Sequence, residues 1–433
     1  MNRQGIGSAT ETRPGIGSSR ADLRGCRGAN DYADTEQKRA LVRVTLSLGS
    51  QTFQRDIASA LARRGMLTRA LSYGLDLEIL EPDTSGALNV VRRFPRYRLA
   101  NRLLWAVWRR LPFTRLSRHF PIVVSTRYAD RLMARHFPPS DIFHGWTGLS
   151  LSCLGVAKSF GSVTVIENPS MHPRAWQEIV LEECDRFGLR PHECRAVLPA
   201  WLIRRMEAEF ERCDFIVVPS AVARDSFKHW EYSAKTRVIH AGIDHRFFSP
   251  PEVRKSDSTF RVCYTGRIEI AKGVGYLLEA WKQLGLKNAE LVLLGEVAQE
   301  MASAIRKNAA TNVRFTGFQP AEQVRNWYRG SDVFAFPSIN EGLARVLLEA
   351  MASGLPVVAT PESGAEDCVT PGLNGMIVRA RTPQEMAEAL LWHYRNRKAS
   401  REMGAAARDA ITSHFTIPHY EERVLGFYES LQL

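Results

Sequence analysis

The stretch from Val333 to Thr360 constrains the fold of this 433-residue chain more than any other. Its pattern predicts a short buried strand at Val333–Phe336, a helix over about 342–353 and a second buried strand at Val357–Ala359. Gly354, followed two residues later by a proline, ends the helix. A strand, a helix and a further strand in this order form the repeating unit of a parallel sheet. The stretch therefore predicts an α/β fold.

Two carboxylates bracket the start of this helix, Glu341 in the loop before it and Glu349 eight residues later. The free amide groups of residues 343–346 would lie between them, at the positive end of the helix dipole. Such a helix start suits a diphosphate, and one acid could reach a group on either side of it. Taken alone, the spacing favours two ordinary solvated acids at a helix end.

The residues around both acids, PS-x-x-EG followed by LLEAMA-x-G-x-PVVAT, closely resemble the donor site of retaining glycosyltransferases of the GT-B fold, family 4. The resemblance covers about residues 40–433, with its strongest motifs in the second half. It implies two Rossmann-like domains that face each other across a cleft, and a C-terminal helix that crosses back to the first domain. The expected organisation is a disordered extension at 1–39, an acceptor-side domain at 40–249, a domain that binds the nucleotide sugar at 252–415 and the crossover helix at 416–433.

The resemblance also assigns the donor-binding residues. Gly266-Arg267 and Lys272-Gly273 match the loop G-R-x-x-x-x-K-G, in which Arg and Lys hold the donor diphosphate. Fixed cations suit this task because the departing diphosphate gains negative charge. By the same resemblance Glu349 binds the ribose hydroxyls, Glu341 lies beside the transferred sugar and the backbone around Phe318 meets the base. The other donor-binding residues are at the helix start: Gly342, Leu343, Ala344, Arg345 and Val346.

One departure from the family concerns the residues after the first acid. The family often has Gly-Phe-Gly there, whereas this chain has Gly342-Leu343-Ala344. A Cβ at position 344 narrows the approach of a sugar to the backbone. The resemblance therefore predicts the binding of a nucleotide more firmly than it predicts the identity of the transferred sugar.

Several polar residues of the first half follow predicted strands. His144 lies in a predicted strand that ends in His-Gly, and a second strand runs into a polar loop that carries Glu167, His172 and Arg174. Ligands of open parallel sheets bind beyond the carboxyl ends of the strands, which puts His144 near the cleft and makes the three residues of the loop acceptor-side candidates. His144 is also a catalytic candidate, because similar enzymes carry a histidine near the reacting sugar; a strand-end histidine bonded to backbone is the alternative. Gly49, in the first strand–helix turn, is a further acceptor-side candidate or an ordinary turn residue.

The net charge of +12 requires an anionic partner or another explanation. Residues 92–118 contain nine arginines and no acid, interleaved with aromatic and aliphatic residues. This composition is typical of a patch that binds an anionic membrane surface, or of a core-facing helix with a basic outer face. No motif of nucleic-acid binding occurs. Seven scattered cysteines, no long apolar run and no signal-peptide pattern predict a cytoplasmic protein. The membrane-patch interpretation of residues 92–118 would make it peripheral at the inner face of the membrane.

The predicted activity is that of an EC 2.4 glycosyltransferase. It would move a sugar from a nucleotide diphosphate sugar to a hydroxyl of a glycan, a lipid-linked acceptor or a small molecule. The resemblance implies retention of anomeric configuration. No Asp-x-Asp and no His-Glu-x-x-His motif occurs, so we expect neither a metal nor another cofactor. The alternatives are a sugar-nucleotide epimerase or phosphorylase of the same fold, and a non-catalytic scaffold or membrane-surface adaptor.

Overall fold

Two parallel β-sheets organise the chain. The computed structural model describes residues 42–48, 52–72, 91–93, 103–104, 106, 120–253 and 258–431. Gly49 and most of the segment 92–118 lie outside these ranges. Within the described ranges, the first sheet has seven strands in the order β3-β2-β1-β4-β5-β6-β7, and the second has six in the order β10-β9-β8-β11-β12-β13. The α/β prediction and the two Rossmann-like halves are confirmed.

The first sheet consists of β1 Val44–Leu48, β2 Leu67–Ser72, β3 Val91–Arg93, β4 Ile142–Trp146, β5 Val163–Glu167, β6 Phe215–Val218 and β7 Thr236–Val238. Its helices within the described ranges are α1 Thr52–Arg63, α2 Phe120–Ala134, α3 Leu151–Ser159, α4 Pro173–Arg186, α5 Ala200–Arg212 and α6 Ala221–Asp225. Every residue of β4 is buried, as the apolar run predicts for a central strand of a parallel sheet.

The second sheet consists of β8 Phe260–Thr265, β9 Ala289–Leu294, β10 Val313–Gly317, β11 Val333–Phe336, β12 Val357–Ala359 and β13 Gly375–Ile377. Its helices are α7 Val274–Leu284, α8 Ala302–Lys307, α9 Ala321–Arg329, α10 Arg345–Ala352, α11 Pro383–Arg395 and α12 Arg397–His414. The last helix, α13 Ile417–Ser430, packs Tyr420, Val424, Leu425 and Tyr428 into the core of the first sheet. The predicted crossover helix is therefore present.

Two predicted boundaries are wrong. The sequence at Val238–Ile243 predicts the last strand of the first sheet, but β7 spans Thr236–Val238 and ends there. Beyond it the chain leaves the sheet, because the amide of Ile243 donates to the carbonyl of Phe415 and its carbonyl accepts from Ile417 at the start of α13. The donor helix begins at Arg345, three residues later than expected, since Ala344 is extended and its amide donates to Ser363.

Helix α4 belongs to the first half by chain order but packs with the core of the second sheet. Its residues Val180 and Cys184 belong to the same buried cluster as β8, β11 and β12. The buried Glu183 accepts hydrogen bonds from the Tyr276 hydroxyl at 2.8 Å and from Arg381 Nε at 2.5 Å. Phe187, which follows the helix, fits against Gly275, where a Cβ would lie 2.8 Å from its ring. The second sheet is thus covered in part by a segment from the first half.

Candidate functional site

The centre of the candidate site follows two neighbouring strands of the second sheet. Strands β8 and β11 are hydrogen-bonded to each other, and the strand order reverses between them. Ligands of open α/β sheets bind at such a switch point, beyond the carboxyl ends of the strands. The predicted residues Gly266, Arg267 and Lys272 follow β8, and Glu341 follows β11. The topology therefore brings both sequence motifs to one place.

Lys272 and Glu341 form an ion pair between the two loops. Both side chains are largely buried, with 15% and 20% of their surface exposed. The loop of Lys272 is held close to the strand end by Gly273, which has φ of 63° and whose Cβ would lie 2.0 Å from the carbonyl oxygen of Pro337. Only glycine fits this combination of positive φ and close approach. A lysine ammonium is thereby fixed beside the loop that precedes α10.

The amino terminus of α10 is open. Its N-cap residue Ala344 makes no side-chain cap, and the first turn contains no acid. The amides of Arg345 and Val346 lie at the positive end of the helix dipole. This is the environment that binds a phosphate group.

Helix α3 of the first sheet shows the opposite arrangement. Glu209 accepts hydrogen bonds from the amides of Gly148 and Ser150, and Asp130 accepts from the amides of Ser152 and Cys153. Arg205 pairs with both buried carboxylates. Because these acids already occupy the positive end of α3, an anionic ligand would have to displace them. The two helix starts therefore differ: carboxylates of the chain bind the amides at the start of α3, whereas the first turn of α10 contains no acid.

Glu349 lies on α10 behind this helix start. The Tyr328 hydroxyl approaches its Oε2 at 3.5 Å. Burial raises the pKa of Glu349, while the nearby charge of Arg345 acts in the opposite direction. In its ionised form this carboxyl group can accept hydrogen bonds from a ligand hydroxyl.

A cavity of about 250 Å³ adjoins the loop after β8. It is lined by Thr265, Gly266, Arg267, Leu294, Gly295, Glu296, Phe318, Gln319 and Val324. Phe318 is 75% exposed, and Arg267 Nη1 lies 3.7 Å from Glu269 Oε2. The volume is below the roughly 300 Å³ at which pockets for whole ligands begin, so it fits one part of a ligand, such as a base. The structure thus brings three predicted residues, Gly266, Arg267 and Phe318, to one cavity.

His144 and Glu167 lie together, beneath the crossover helix. His144 Nδ1 is 2.6 Å from the Tyr428 hydroxyl, its Nε2 is 3.6 Å from Glu167 Oε2, and the Tyr420 hydroxyl donates to Glu167 at 3.3 Å. Burial lowers the pKa of His144 to about 4, because it disfavours the charged imidazolium. The imidazole is therefore neutral at pH 7. Within the described ranges, no hydrogen bond or ion pair joins His144 to Glu341.

His172 and Arg174 lie in a separate cluster. His172 accepts from the Arg174 amide through Nδ1, its Nε2 is 2.7 Å from the Tyr232 hydroxyl, and its ring stacks on Trp230 at 3.5 Å. Arg174 pairs with Glu207. Both ring nitrogens of His172 are thus engaged within the protein, so neither is free for an acceptor in this arrangement.

The donor loop also touches the first half directly. The Ser220 hydroxyl donates to the carbonyl of Gly342 at 2.6 Å. A Cβ at Gly342 would lie 2.1 Å from the carbonyl oxygen of Pro169 and 2.7 Å from Pro219 Cγ. Nearby, both carboxylate oxygens of Asp367 accept from the amide of Ala221. The loop beside the predicted sugar position is therefore packed against the acceptor side.

Sequence reasoning missed Ser220, Asp367 and the two tyrosines of the crossover helix. Each acts on a partner more than a hundred residues away, and local patterns carry no signal for such contacts. No group of three or more His, Cys, Asp or Glu side chains that could hold a metal ion occurs among the described residues. In the same part of the chain, none of the helices combines the length and apolar character that a bilayer span requires.

Residues 246–410 match the protein family described as Glycosyl transferases group 1. A D-inositol 3-phosphate glycosyltransferase of Paenarthrobacter aurescens is 27% identical over 44% of this chain and 52% of its own length. An alpha-maltose-1-phosphate synthase of Mycolicibacterium smegmatis is 27% identical over 51% of this chain and 64% of its own. The chain spans about half the length of the curated relatives it matches.

Solved structures share the fold over most of the chain. A sucrose-phosphate synthase from Thermosynechococcus elongatus has a TM-score of 0.65 at 19% identity, covering 90% of this chain and 98% of its own. The Anabaena protein HepE in complex with UDP-glucose has a TM-score of 0.63 at 17% identity, covering 90% of this chain and 100% of its own. At these identities the likeness establishes the two-sheet architecture.

Proposed function

We propose, on the premise that residues 246–410 belong to the glycosyl transferases group 1, that this chain transfers a sugar from a nucleotide diphosphate sugar to a hydroxyl acceptor. The observation that carries the proposal is the Lys272–Glu341 ion pair beside the open amino terminus of α10. A lysine and an uncapped helix start together form a diphosphate site. HepE, which shares the fold, has been solved with UDP and with UDP-glucose.

Each predicted donor residue has a role in this proposal. Arg267 and Lys272 bind the diphosphate, Glu349 the ribose hydroxyls, and the cavity beside Phe318 the base. Lys272 is already paired with Glu341, so a bound diphosphate would share the lysine ammonium with this carboxylate. Glu341 would then be available to a hydroxyl of the transferred sugar.

The transfer step needs no protein nucleophile. The bond between the anomeric carbon and the phosphate oxygen breaks, a bond to the acceptor oxygen forms on the same face, and the acceptor proton passes to an oxygen of the departing diphosphate. Retention of configuration follows from attack on that face. Fixed positive groups at Lys272, Arg267 and the α10 amides would stabilise the developing charge without a divalent ion. Neutral His144 would contribute a hydrogen bond from the acceptor side rather than a charge, and Glu167 would accept hydrogen bonds there.

The test is calorimetric titration with UDP, GDP, ADP and CDP in the presence of EDTA. We expect one of them to bind at micromolar concentration, and Arg267→Ala to weaken it about 10- to 100-fold, as loss of a charge-assisted hydrogen bond does. Arg314→Ala is the matched control, because that exposed guanidinium lies on β10 but does not line the cavity. Binding of none of the four nucleotides would instead support the scaffold alternative. Release of free epimerised or phosphorylated sugar without acceptor would support the epimerase or phosphorylase.

A membrane-surface acceptor is favoured by one face of α2. Four exposed residues recur at helical spacing on this face, Val124, Arg127, Tyr128 and Arg131, and the exposed Arg135 follows directly after the helix ends at Ala134. The five residues include three cations and no acid, together with an aliphatic and an aromatic side chain, as suits an anionic headgroup layer. We therefore propose that the acceptor is lipid-linked or lies at such a surface.

Flotation with phosphatidylglycerol vesicles tests this interpretation. The triple substitution of Arg127, Arg131 and Arg135 by Glu is expected to abolish co-flotation, because each basic residue near the surface contributes about 1 kcal/mol. The control replaces Arg395, Lys398 and Arg401 by Glu, which changes the net charge equally at exposed positions around α12. If both triple variants float like the wild type, α2 is not a membrane-binding surface.

A further inference from the structure

We infer that Trp176, on helix α4 of the first half, is a positioning residue of the donor site. The inference rests on the proposed function and deepens it: Trp176 holds Lys272 and the loop of Glu341 in place for the diphosphate. By chain order and by motif, α4 would belong to the acceptor side. The contacts instead make it part of the donor half.

The first step of the argument is the place of the indole. Lys272 Nζ lies 5.9 Å from the centroid of the Trp176 ring, near the outer limit of a cation–π contact. The same ammonium pairs with Glu341. Lys272 therefore has both an uncharged aromatic face and a carboxylate as neighbours.

The second step concerns the backbone of Trp176. Its carbonyl accepts a hydrogen bond at 3.2 Å from the side-chain amide of Asn340, the residue directly before Glu341. Asn340 is fully buried. One residue of α4 thus contacts Lys272 through its ring and the Glu341 loop through its carbonyl, so it fixes the two donor loops relative to each other.

The third step is that Trp176 is itself rigidly held. Its Nε1 donates to the carbonyl of Ala196 at 2.9 Å, and its ring packs against the core of the second sheet. At the other end of the helix, Glu183 binds Tyr276 and Arg381, both from the second half. Because α4 is anchored at both ends to the second sheet, Trp176 would remain beside Lys272 if the two halves moved apart.

The physical role follows from the chemistry of the ring. A carboxylate at this position would pair with Lys272 and reduce its attraction for a diphosphate, whereas an aromatic face orients the ammonium and leaves its charge available. The ring also excludes water from one side of the ion pair, which strengthens the electrostatic attraction. Without the ring, Lys272 would still be present, but its ammonium should be less well oriented toward the diphosphate.

The experiment compares variants by UDP calorimetry, or with whichever of the four nucleoside diphosphates the wild type binds. Trp176→Ala is expected to weaken binding about 10-fold, and Trp176→Phe, which keeps an aromatic face, by no more than about 3-fold. Phe187→Ala is the matched control: it removes an aromatic contact at the far end of α4, against Gly275, without touching Lys272. It should lower thermal stability and leave nucleotide binding within about 2-fold.

A double-mutant cycle separates positioning from general loosening of the helix. In a Lys272→Ala background, Trp176→Ala should have no further effect on nucleotide binding, because the residue through which it acts is gone. As a readout that needs no nucleotide, acetylation of Lys272 by acetic anhydride, followed by mass spectrometry, should increase in Trp176→Ala. It should remain unchanged in Phe187→Ala.

Three outcomes would overturn the inference, and they are distinguishable. If the wild type binds none of the nucleotides, the proposed function fails and the donor role of Trp176 fails with it. If the wild type binds and Trp176→Ala binds equally well, only the inference fails. If Trp176→Ala weakens binding as strongly without Lys272 as with it, the tryptophan acts through folding and is not a positioning residue.

Discussion

Lys272→Ala is expected to lower the rate of sugar transfer by about 10²- to 10³-fold, the loss that follows removal of one preorganised group that stabilises charge in a transition state. The reason is that the diphosphate carries more negative charge when it departs than when it is bound. Lys272 lies in a largely buried pair, where electrostatic interactions are stronger than in bulk water. The fall should therefore appear mainly in kcat, with a smaller change in the Kd of the nucleoside diphosphate.

The control is Lys282→Ala, which removes a lysine of the same half. The Lys282 ammonium donates to the carbonyl of Lys307 on the surface and lies in neither donor loop. It should retain the wild-type rate. Lys272→Gln separates charge from shape, because glutamine keeps a polar chain of similar length without the cation, and it should be almost as impaired as alanine. A Lys272→Ala enzyme with a rate within about 3-fold of the wild type would remove the lysine from the mechanism.

The second sheet and its site motifs were predictable because their signals are local. The strands Val333–Phe336 and Val357–Ala359 are short apolar runs bounded by Pro, Ser and Gly, and the structure has them at these positions. The loop from Gly266 to Gly273 and the stretch from Glu341 to Glu349 each span fewer than ten residues. When a doubly wound sheet forms, the loops that follow its two central strands lie together at the switch point. Local pattern and topology together were therefore sufficient to place the donor candidates.

What could not be predicted depends on contacts between distant parts of the chain. The surroundings of His144 are set by Tyr428, which is 284 residues away. The sequence pattern of the strand does not indicate that the crossover helix buries this histidine. The amphipathic pattern of α4 predicts that one face is buried, but not against which sheet. The end of β7 depends on the pairing of Ile243 with the start of α13. In each case tertiary packing decides among options that the local sequence leaves open.

Gly342→Ala is expected to reduce transfer by about 100-fold or more while nucleotide binding stays within a few-fold of the wild type. The Cβ would lie 2.1 Å from the carbonyl oxygen of Pro169 and 2.7 Å from Pro219 Cγ, both on the acceptor side. Backbone and a proline ring have little freedom to give way, so the donor loop would have to separate from the first half. A displacement of about 1 Å between reacting groups costs about 10²-fold in rate. The groups proposed to hold the nucleotide follow β8 or lie on α10, away from this contact, so nucleotide binding should persist.

Gly155→Ala is the matched control for this change. Gly155 lies within α3, and a Cβ there would meet no heavy atom within 4 Å, so the substitution should be neutral or slightly stabilising. Single-turnover rates, UDP calorimetry and thermal unfolding on both variants separate loss of alignment from loss of folding. We expect Gly342→Ala to keep the wild-type thermal stability and nucleotide affinity but to transfer sugar slowly. That result would show that the approach of the donor loop to the acceptor side is part of the reaction. If it also transfers at the wild-type rate, the contact between Gly342 and Pro169 is not required, and the two halves react from a more open arrangement than the one described.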